Sequence, residues 1–535
     1  MEGGNNHFIL IFNYINKMMN LRFKFITAIL LVAFFTSCNE DFLDLKPLDQ
    51  VVSDNFYKTE EQALMALVAI YDALTYQDHP GVAWAPPLTV ADAMSDDAYA
   101  GGGDANDGRH FQELNSWNAP ATNPNAHAIW QMSYTGIYRA NLYLEIIDGV
   151  TASDAFKRRT IAEAKFLRAY FYLQLVRFFE NIPLLTSTIK GPSEYIQPQA
   201  APRDVYNQIA LDLVQAIQDL PASVPAVEAG RVTRWAAQAL LARTFLFYNG
   251  VYGQDLVAGN INVDRAYVLA QLEDLIQNSG HDLFEDYSDN FSLVGEFGVE
   301  SVFEISYGDS PLWWDWNYPR GGSGNLAAQM QGPRVSGSTR WNRGWGFAPV
   351  SHKLAEFLRN DPRFAHTILR QEELDGVLDI GYQHTGYFSK KYTSDAEHWG
   401  MGGQFELNRT ANHRVIRFSD VLLMAAELGS ANAQRYLDRV RARVGLASVP
   451  ATRENILRER RLELSLEGVR LFDVLRLGIN RATEEFTVSG VRGPRYVGDQ
   501  VIFNVTFRPQ TRGFLPIPQT ELDLMAGNWE QNAGY

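Results

Sequence analysis

Paired segments with a helical pattern run through most of this chain and constrain its fold more than any other feature. Each segment places alanine and aromatic residues at helical spacings, and turn or stop residues separate it from its neighbour. The pairs are 161–179 with 204–220, 233–248 with 264–277, and 418–428 with 433–444. Because amphipathic helices bury their apolar faces against each other, each pair predicts an αα-hairpin.

The spacing of these hairpins is loosely that of tetratricopeptide repeats, at about 34 residues each. Segments 59–74 and 127–147 are also predicted helices. The repeats are degenerate and interrupted, so an unrelated helical array is the alternative. The predicted fold class is dominated by α-helix, with a scaffold of tetratricopeptide-type helical hairpins.

Two long stretches interrupt the helical pattern, at about 76–125 and 281–410. Both are rich in glycine, asparagine, aspartate and aromatic residues, and the second contains the β-like run 301–307. Loops this long are usually functional or disordered, and their aromatic content argues against disorder. We therefore expect loop-rich insertions with minor β elements.

The N-terminus predicts a secretory signal that ends at a lipid-attachment site. After a basic stretch, residues 25–35 form an apolar run of about 11 residues, where a bilayer span needs about 20. Small residues then precede Cys38, the only cysteine in 535 residues. We expect residues 1–37 to be the signal, with the true start at Met18 or Met19, and Cys38 to carry the lipid.

The mature chain, 38–535, is predicted to be one large domain without a free thiol, and hence without disulfides or cysteine-bound metal. Acidic residues directly after Cys38 resemble an export tag for the outer face of a bacterial outer membrane. No second apolar run of about 18 residues follows, so the lipid is the only membrane attachment predicted. The net charge of −15 argues against a nucleic-acid partner.

Several segments together carry a resemblance to a known family. They are Glu459–Gly478 (ERRLELSLEGVRLFDVLRLG), Phe514–Glu521 (FLPIPQTE), Gln531–Tyr535, Tyr57–Ala63 (YKTEEQA), Asn181–Leu185 and Arg417–Glu427. The pattern resembles the SusD/RagB family of surface lipoproteins that bind nutrients, from the lipid site to the last residue. Three local departures are a shorter connection from Glu427 to Tyr436 than expected, Ala533 where the family usually has proline, and Asn528-Trp529 in place of Asn-Pro.

The resemblance implies a function and a partner. It implies a protein that is lipid-anchored to the outer membrane, faces the exterior, binds a glycan through aromatic side chains and delivers it to a SusC-like TonB-dependent barrel. Capture of peptides by a RagB-like subunit of the same kind of transporter is the alternative. An α-helical glycan hydrolase is less favoured, because we find no HExxH, GxSxG or Walker motif.

The charged residues of the signature segment favour a structural role over catalysis. Leu462, Leu466, Val469 and Phe472 form an apolar stripe. Oppositely charged residues flank it three positions apart, as in Arg460–Glu463, Glu467–Arg470 and Asp473–Arg476. We expect these to be exposed pairs, each contributing about 0.2–0.5 kcal/mol.

A sugar site should combine flat aromatic rings with a few convergent polar groups. Two regions contain such residues, and the candidates are Trp84, Asp97, Trp117, Trp313, Trp314, Trp316, Tyr318, Arg320, Trp341 and Trp345. Three tryptophans within four residues cannot all face one core from a strand. The alternative is that these aromatics fasten loops to helices and that the aspartates order turns.

No catalytic residue, cofactor or metal is predicted. Asp286, Asp289 and Asn290 have a generic calcium-like spacing but lack the full loop with its terminal glutamate. Carboxylate pairs for glycoside hydrolysis cannot be read from a sequence, because the required separation of about 5–10 Å is spatial.

Overall fold

The computed structural model describes residues 57–79, 83–308, 324–399, 406–492 and 501–535. The chain divides into two compact units, Met1–Lys58 and Thr59–Tyr535, and the fold below is that of the second unit. The predicted signal and Cys38 lie outside the described residues, as do the candidates Trp313, Trp314, Trp316, Tyr318 and Arg320. No helix in the described part is long and apolar enough to cross a bilayer.

Helices dominate the second unit. They are α1 (Glu60–Asp72), α2 (Pro87–Ala93), α3 (Arg109–Asn115), α4 (Pro124–Ile146), α5 (Asp154–Phe179), α6 (Pro202–Asp219), α7 (Arg234–Tyr252), α8 (Arg265–Asn278), α9 (Leu326–Gln331), α10 (His352–Leu358), α11 (Phe364–Thr367), α12 (Phe418–Glu427), α13 (Ala433–Arg443), α14 (Arg453–Leu464), α15 (Arg470–Leu475), α16 (Ile479–Phe486) and α17 (Gln519–Leu524). The predicted fold class is confirmed.

The predicted hairpins are present, since α5 packs on α6, α7 on α8 and α12 on α13. Contacts of α4 with α5, of α6 with α7 and of α8 with α12 join them into one array. Local signals set the ends of the helices. Pro202 occupies the first turn of α6, and the side chain of Asp264 accepts a hydrogen bond from the N–H of Tyr267 at the start of α8.

The strands are short and pair in twos. They are β1 (Asp78–His79), β2 (Ala83–Trp84), β3 (Leu256–Ala258), β4 (Ile261–Val263), β5 (Ser301–Ile305), β6 (Val335–Ser336), β7 (Ile368–Arg370), β8 (Val377–Leu378), β9 (Tyr387–Ser389), β10 (His413–Arg417), β11 (Val488–Arg492) and β12 (Val501–Val505). All pairs are antiparallel, and β5 pairs with β10. That pairing ties the start of the 281–410 insertion to the strand that leads into α12.

The C-terminal signature segment differs from the prediction. It forms two helices, α14 and α15, because Leu466 and Gly468 between them have φ values of +61° and +70°. The apolar stripe is buried as predicted. Arg460, Glu463, Glu467 and Arg476 are buried too and Arg470 and Asp473 are partly buried, so the expectation of exposed pairs is wrong.

The ion pairs of this segment also have other partners than predicted, with one exception. Glu463 pairs with arginines from elsewhere in the chain, Arg363, Arg417 and Arg443. Arg460 pairs with Asp420 and Asp473. The predicted pair Asp473–Arg476 is confirmed at 2.9 Å. The motif therefore holds the helical array together from inside.

Candidate functional site

Two segments that are distant in sequence place Trp84 and Trp345 side by side. Trp84 ends β2, just before Pro87 begins α2, and Trp345 lies in the loop between β6 and α10. Their ring centroids are 5.0 Å apart, and the ring planes are tilted by 49°. Trp84 is 41% exposed and Trp345 is partly buried. We call these two side chains the tryptophan platform.

Aromatic contacts continue from the platform into the core. The ring of Trp345 meets Phe347 edge to face at 6.0 Å, and Phe347 meets Phe111 in the same way at 6.1 Å. Both phenylalanines are buried. Edge-to-face pairs contribute about 0.5–1.5 kcal/mol beyond area burial. The platform is therefore anchored to the interior.

Hydrogen bonds fix the orientation of Trp345. Its indole Nε1 donates to Oε1 of Glu406 at 3.1 Å, and its backbone N–H donates to the carbonyl of Gln329 at 3.0 Å. Gln329 is fully buried, and its side-chain oxygen accepts from Nη2 of Arg409 at 2.9 Å. Its Nε2 donates to the carbonyl of Arg343 at 2.8 Å. Gln329 thus connects three segments that surround the platform.

A further exposed tryptophan, Trp399, lies in the loops next to the platform. Trp399 is 44% exposed, and its backbone forms an antiparallel bridge with Arg409. The sequence-based reasoning named neither Trp399 nor Glu406. The available signal was a tryptophan directly before the glycine-rich run 400–403.

Charged side chains line the rim beside the platform. Nη2 of Arg343 lies 2.5 Å and Nη2 of Arg334 lies 3.0 Å from Oδ2 of Asp379. These hydrogen bonds, the one from Arg343 above all, hold the pKa of Asp379 below its ordinary value. Arg343 and Asp379 are both substantially exposed. The rim therefore presents guanidinium groups next to the platform.

Three predicted ligand contacts lie in the interior instead. Asp97 is fully buried, accepts a hydrogen bond from Arg461 at 3.2 Å, and burial raises its pKa. Trp117 is 3% exposed and stacks on Phe486 at 5.6 Å. Trp341 is 5% exposed within a small apolar cluster. This corrects the prediction for these positions, because packing of loops on helices already occupies their side chains.

The described residues that flank segment 309–323 approach one nearby stretch of chain. The N–H of Tyr307 donates to Oδ1 of Asn412 at 2.8 Å, and the N–H of Gly324 donates to the carbonyl of Leu407 at 3.0 Å. Glu406, which holds Trp345, directly precedes Leu407. A ligand role for the tryptophans of 309–323 stays a prediction.

The fold and the site define a helical-repeat protein that carries an aromatic surface on its inserted loops. Two family models match this chain: one described as the SusD family covers residues 369–535, and one described as starch-binding and associating with the outer membrane covers residues 41–246. A solved structure of a laminarin binding SusD-like protein is 31% identical with a TM-score of 0.76, covering 90% of this chain and 100% of that chain. This chain belongs to the SusD/RagB family.

Two further relatives agree with that assignment. Surface glycan-binding protein A from Bacteroides thetaiotaomicron, solved in complex with laminarihexaose, is 28% identical with a TM-score of 0.76, covering 89% of this chain and 100% of that chain. A SusD-like protein of Bacteroides ovatus is 24% identical over 461 residues, which is 82% of this chain and 80% of the relative.

Proposed function

We propose that this protein is an outer-membrane lipoprotein, anchored at Cys38, that binds a glycan outside the cell and delivers it to a SusC-like TonB-dependent barrel. The tryptophan platform with its guanidinium rim is the observation that carries the proposal. Sugar rings lay their C–H faces on indole rings, and arginines donate to their hydroxyls. Two indoles inclined by 49° suit successive rings of a curved glycan chain.

The relatives support a glucan as the ligand. Laminarin and laminarihexaose are named for two solved relatives, and the description of one family model names starch binding. All of these are polymers or oligomers of glucose, so laminarin is the first ligand to test. The same family description supports association with the outer membrane.

The carboxylates at the site fit binding better than hydrolysis. Glycoside hydrolysis needs a carboxyl group whose pKa is raised, so that it acts as a general acid near neutral pH. Asp379 departs in the opposite direction, because two guanidinium groups lower its pKa. Glu406 accepts the indole hydrogen bond of Trp345 and so serves to position the platform.

Affinity gel electrophoresis of the chain from Asn39 to Tyr535 tests the proposal, with laminarin, starch and other polysaccharides cast in the gels. A variant with Trp84→Ala and Trp345→Ala runs beside the unmodified chain. Loss of central aromatic contacts costs about 2 kcal/mol or more of binding free energy. We therefore expect the affinity of this variant for the glycan to fall about 30-fold, which the gel shows as reduced retardation.

The matched control is Tyr195→Ala, because Tyr195 is an aromatic residue 59% exposed on a loop outside the site. It should bind as the unmodified chain does. Absence of retardation by every polysaccharide, together with binding of peptides from a protein digest, would contradict glycan binding and favour peptide capture. Unchanged retardation of the platform variant would exclude the platform as the binding site.

A further inference from the structure

A polar cleft with a volume of about 680 Å³ lies between α3 and the last residues of the chain. Its lining includes Arg109, Asn118, Tyr382, Arg508 and Tyr535. Small-molecule sites typically have volumes of about 300–1,000 Å³. The cleft is therefore large enough for a short stretch of an oligosaccharide, and none of the residues of the tryptophan platform lines it.

Internal contacts hold the aromatic side of the cleft in place. The guanidinium of Arg508 lies 5.1 Å from the ring centroid of Tyr535, and its Nη2 donates to the carbonyl of Gly534 at 2.5 Å. The hydroxyl of Tyr535 donates to the carbonyl of Phe514 at 3.1 Å. Groups that are already fixed lose little conformational freedom when a ligand binds.

Another lining residue, Gln383, has both a strained backbone and an unsatisfied acceptor. Its φ is +51°, in the left-handed region that residues other than glycine rarely adopt. Its side-chain Oε1 is buried and has no hydrogen-bond partner in the described part of the chain. Backbone strain concentrates at binding sites, and a buried acceptor without a partner calls for an explanation. Rotation of the side chain toward the cleft when a ligand binds would let a ligand hydroxyl supply the missing donor.

The chemistry of the lining fits an uncharged ligand with many hydroxyl groups. Arg109 and Asn118 are exposed and present guanidinium and amide groups, and two tyrosine rings add apolar faces. Among the described lining residues the acidic side chain is Glu113. It already accepts a hydrogen bond from Nδ2 of Asn123 at 2.9 Å and faces Arg109 at 3.5 Å.

Backbone hydrogen bonds link the cleft to the platform. The N–H of Gly102 donates to the carbonyl of Gly346, next to Trp345, and the N–H of Tyr382 donates to the carbonyl of Gly102, both at 2.9 Å. Adjacent Cα atoms are about 3.8 Å apart and hydrogen-bonded backbone neighbours about 5.5 Å, so the Cα atoms of Trp345 and Tyr382 lie within about 15 Å. One glycan chain can therefore extend from the tryptophan platform to the polar cleft.

We propose that the polar cleft is a second glycan subsite, which binds the part of a chain that extends beyond the tryptophan platform. This inference rests on the proposed function. Once one part of a polymer is bound, the next part is held at a high effective concentration, so a weak second subsite raises the affinity for long chains. Short oligomers that cover the platform alone gain nothing from it.

Calorimetric titration with laminarin and with laminaritriose tests the proposal. The cleft variant carries Arg109→Ala and Asn118→Ala, two exposed positions whose loss leaves the contacts of Arg508 and Tyr535 intact. The matched control carries Arg158→Ala and Asn262→Ala, the same residue types at exposed positions of α5 and β4. A further variant, Gln383→Leu, removes the unsatisfied acceptor and should not lower the melting temperature.

We expect the cleft variant and Gln383→Leu to bind laminarin about tenfold more weakly, with laminaritriose binding unchanged and the control variant unaffected. Equal affinity of the unmodified chain and both cleft variants for laminarin would overturn the second subsite and leave the proposed function standing. If the unmodified chain binds no glycan, the proposed function fails and the cleft proposal fails with it.

Discussion

Arg417 illustrates at the scale of one residue how the charges of the interior stabilise the fold. Its fully buried guanidinium contacts Glu300, Glu463 and Glu467 at 2.7–2.8 Å. Removal of one partner leaves buried carboxylates without compensation, which costs about 3–5 kcal/mol. We therefore expect Arg417→Met to lower the free energy of unfolding by that amount, measured as a shift of the urea midpoint.

The control for this change is Arg359→Met. Arg359 pairs with Glu356, and both side chains are about two-thirds exposed. Such surface substitutions usually alter stability by no more than about 0.5 kcal/mol. Similar shifts for the two variants would contradict a special role of the buried network.

Glu406 gives a second test at this scale, because it orients Trp345 and need not touch the ligand. Glu406→Gln keeps an oxygen acceptor for the indole N–H, whereas Glu406→Ala removes it. A hydrogen bond of this kind contributes about 1 kcal/mol. We expect laminarin affinity to fall about fivefold in the alanine variant and to stay near normal in the glutamine variant, measured by calorimetric titration. Equal losses in both variants would instead indicate that the charge of Glu406 acts on the ligand.

Residue type alone identified some site residues and misidentified others. Trp84 and Trp117 look alike in the sequence, since both stand in the same loop-rich stretch. Trp117 is buried because Phe486, from a helix far along the chain, stacks on it. Contacts between segments so distant leave no local pattern, so the sequence alone does not distinguish Trp117 from Trp84, which is 41% exposed.

At the scale of elements, a close contact between two helices of the array depends on a glycine. A Cβ atom added at Gly136 in α4 would lie 2.3 Å from the ring of Phe171 in α5. Overpacking of this kind costs about 1–3 kcal/mol. We expect Gly136→Ala to lower the melting temperature and Phe171→Leu in the same chain to restore part of the loss. Gly149→Ala, where an added Cβ meets no atom of the described residues within 4 Å, is the control and should be neutral.

The helices were predictable because local signals mark them. Alanine and aromatic residues at helical spacing, Pro202 at a helix start and Asp264 at a cap all act within one or two turns. The apolar stripe and the charge spacing gave no sign of the break between α14 and α15, although Gly468 stands there. Most partners of those charges come from other elements, so the spacing of charges within the segment wrongly predicted exposed local pairs.

At the scale of the whole molecule, two groups of buried carboxyls respond to pH in opposite directions. Burial raises the pKa of Asp420, but Arg460 and Arg243 outweigh burial and hold it at about 2. The pKa values of Glu427 and Asp473 are lowered as well, again because arginines outweigh burial. In Asp92, burial and the nearby charge of Asp97 raise the pKa well above the ordinary value.

These directions predict how stability depends on pH. Carboxyls with a lowered pKa stabilise the fold above their unfolded pKa of about 4, and this is lost as the pH falls through their folded values. A raised pKa acts oppositely, so the contribution of Asp92 is complete below about pH 4 and is lost as the pH rises through its folded pKa.

Thermal melts from pH 8 to 2 should therefore show a steep loss of stability below about pH 4. Asp92→Asn should make the melting temperature depend less on pH near neutrality. It should leave the loss of stability below about pH 4 unchanged, because the asparagine oxygen can still accept the N–H of Gly468. If the variant no longer lost stability below about pH 4, Asp92 and not the arginine-paired carboxyls would be the cause of acid unfolding.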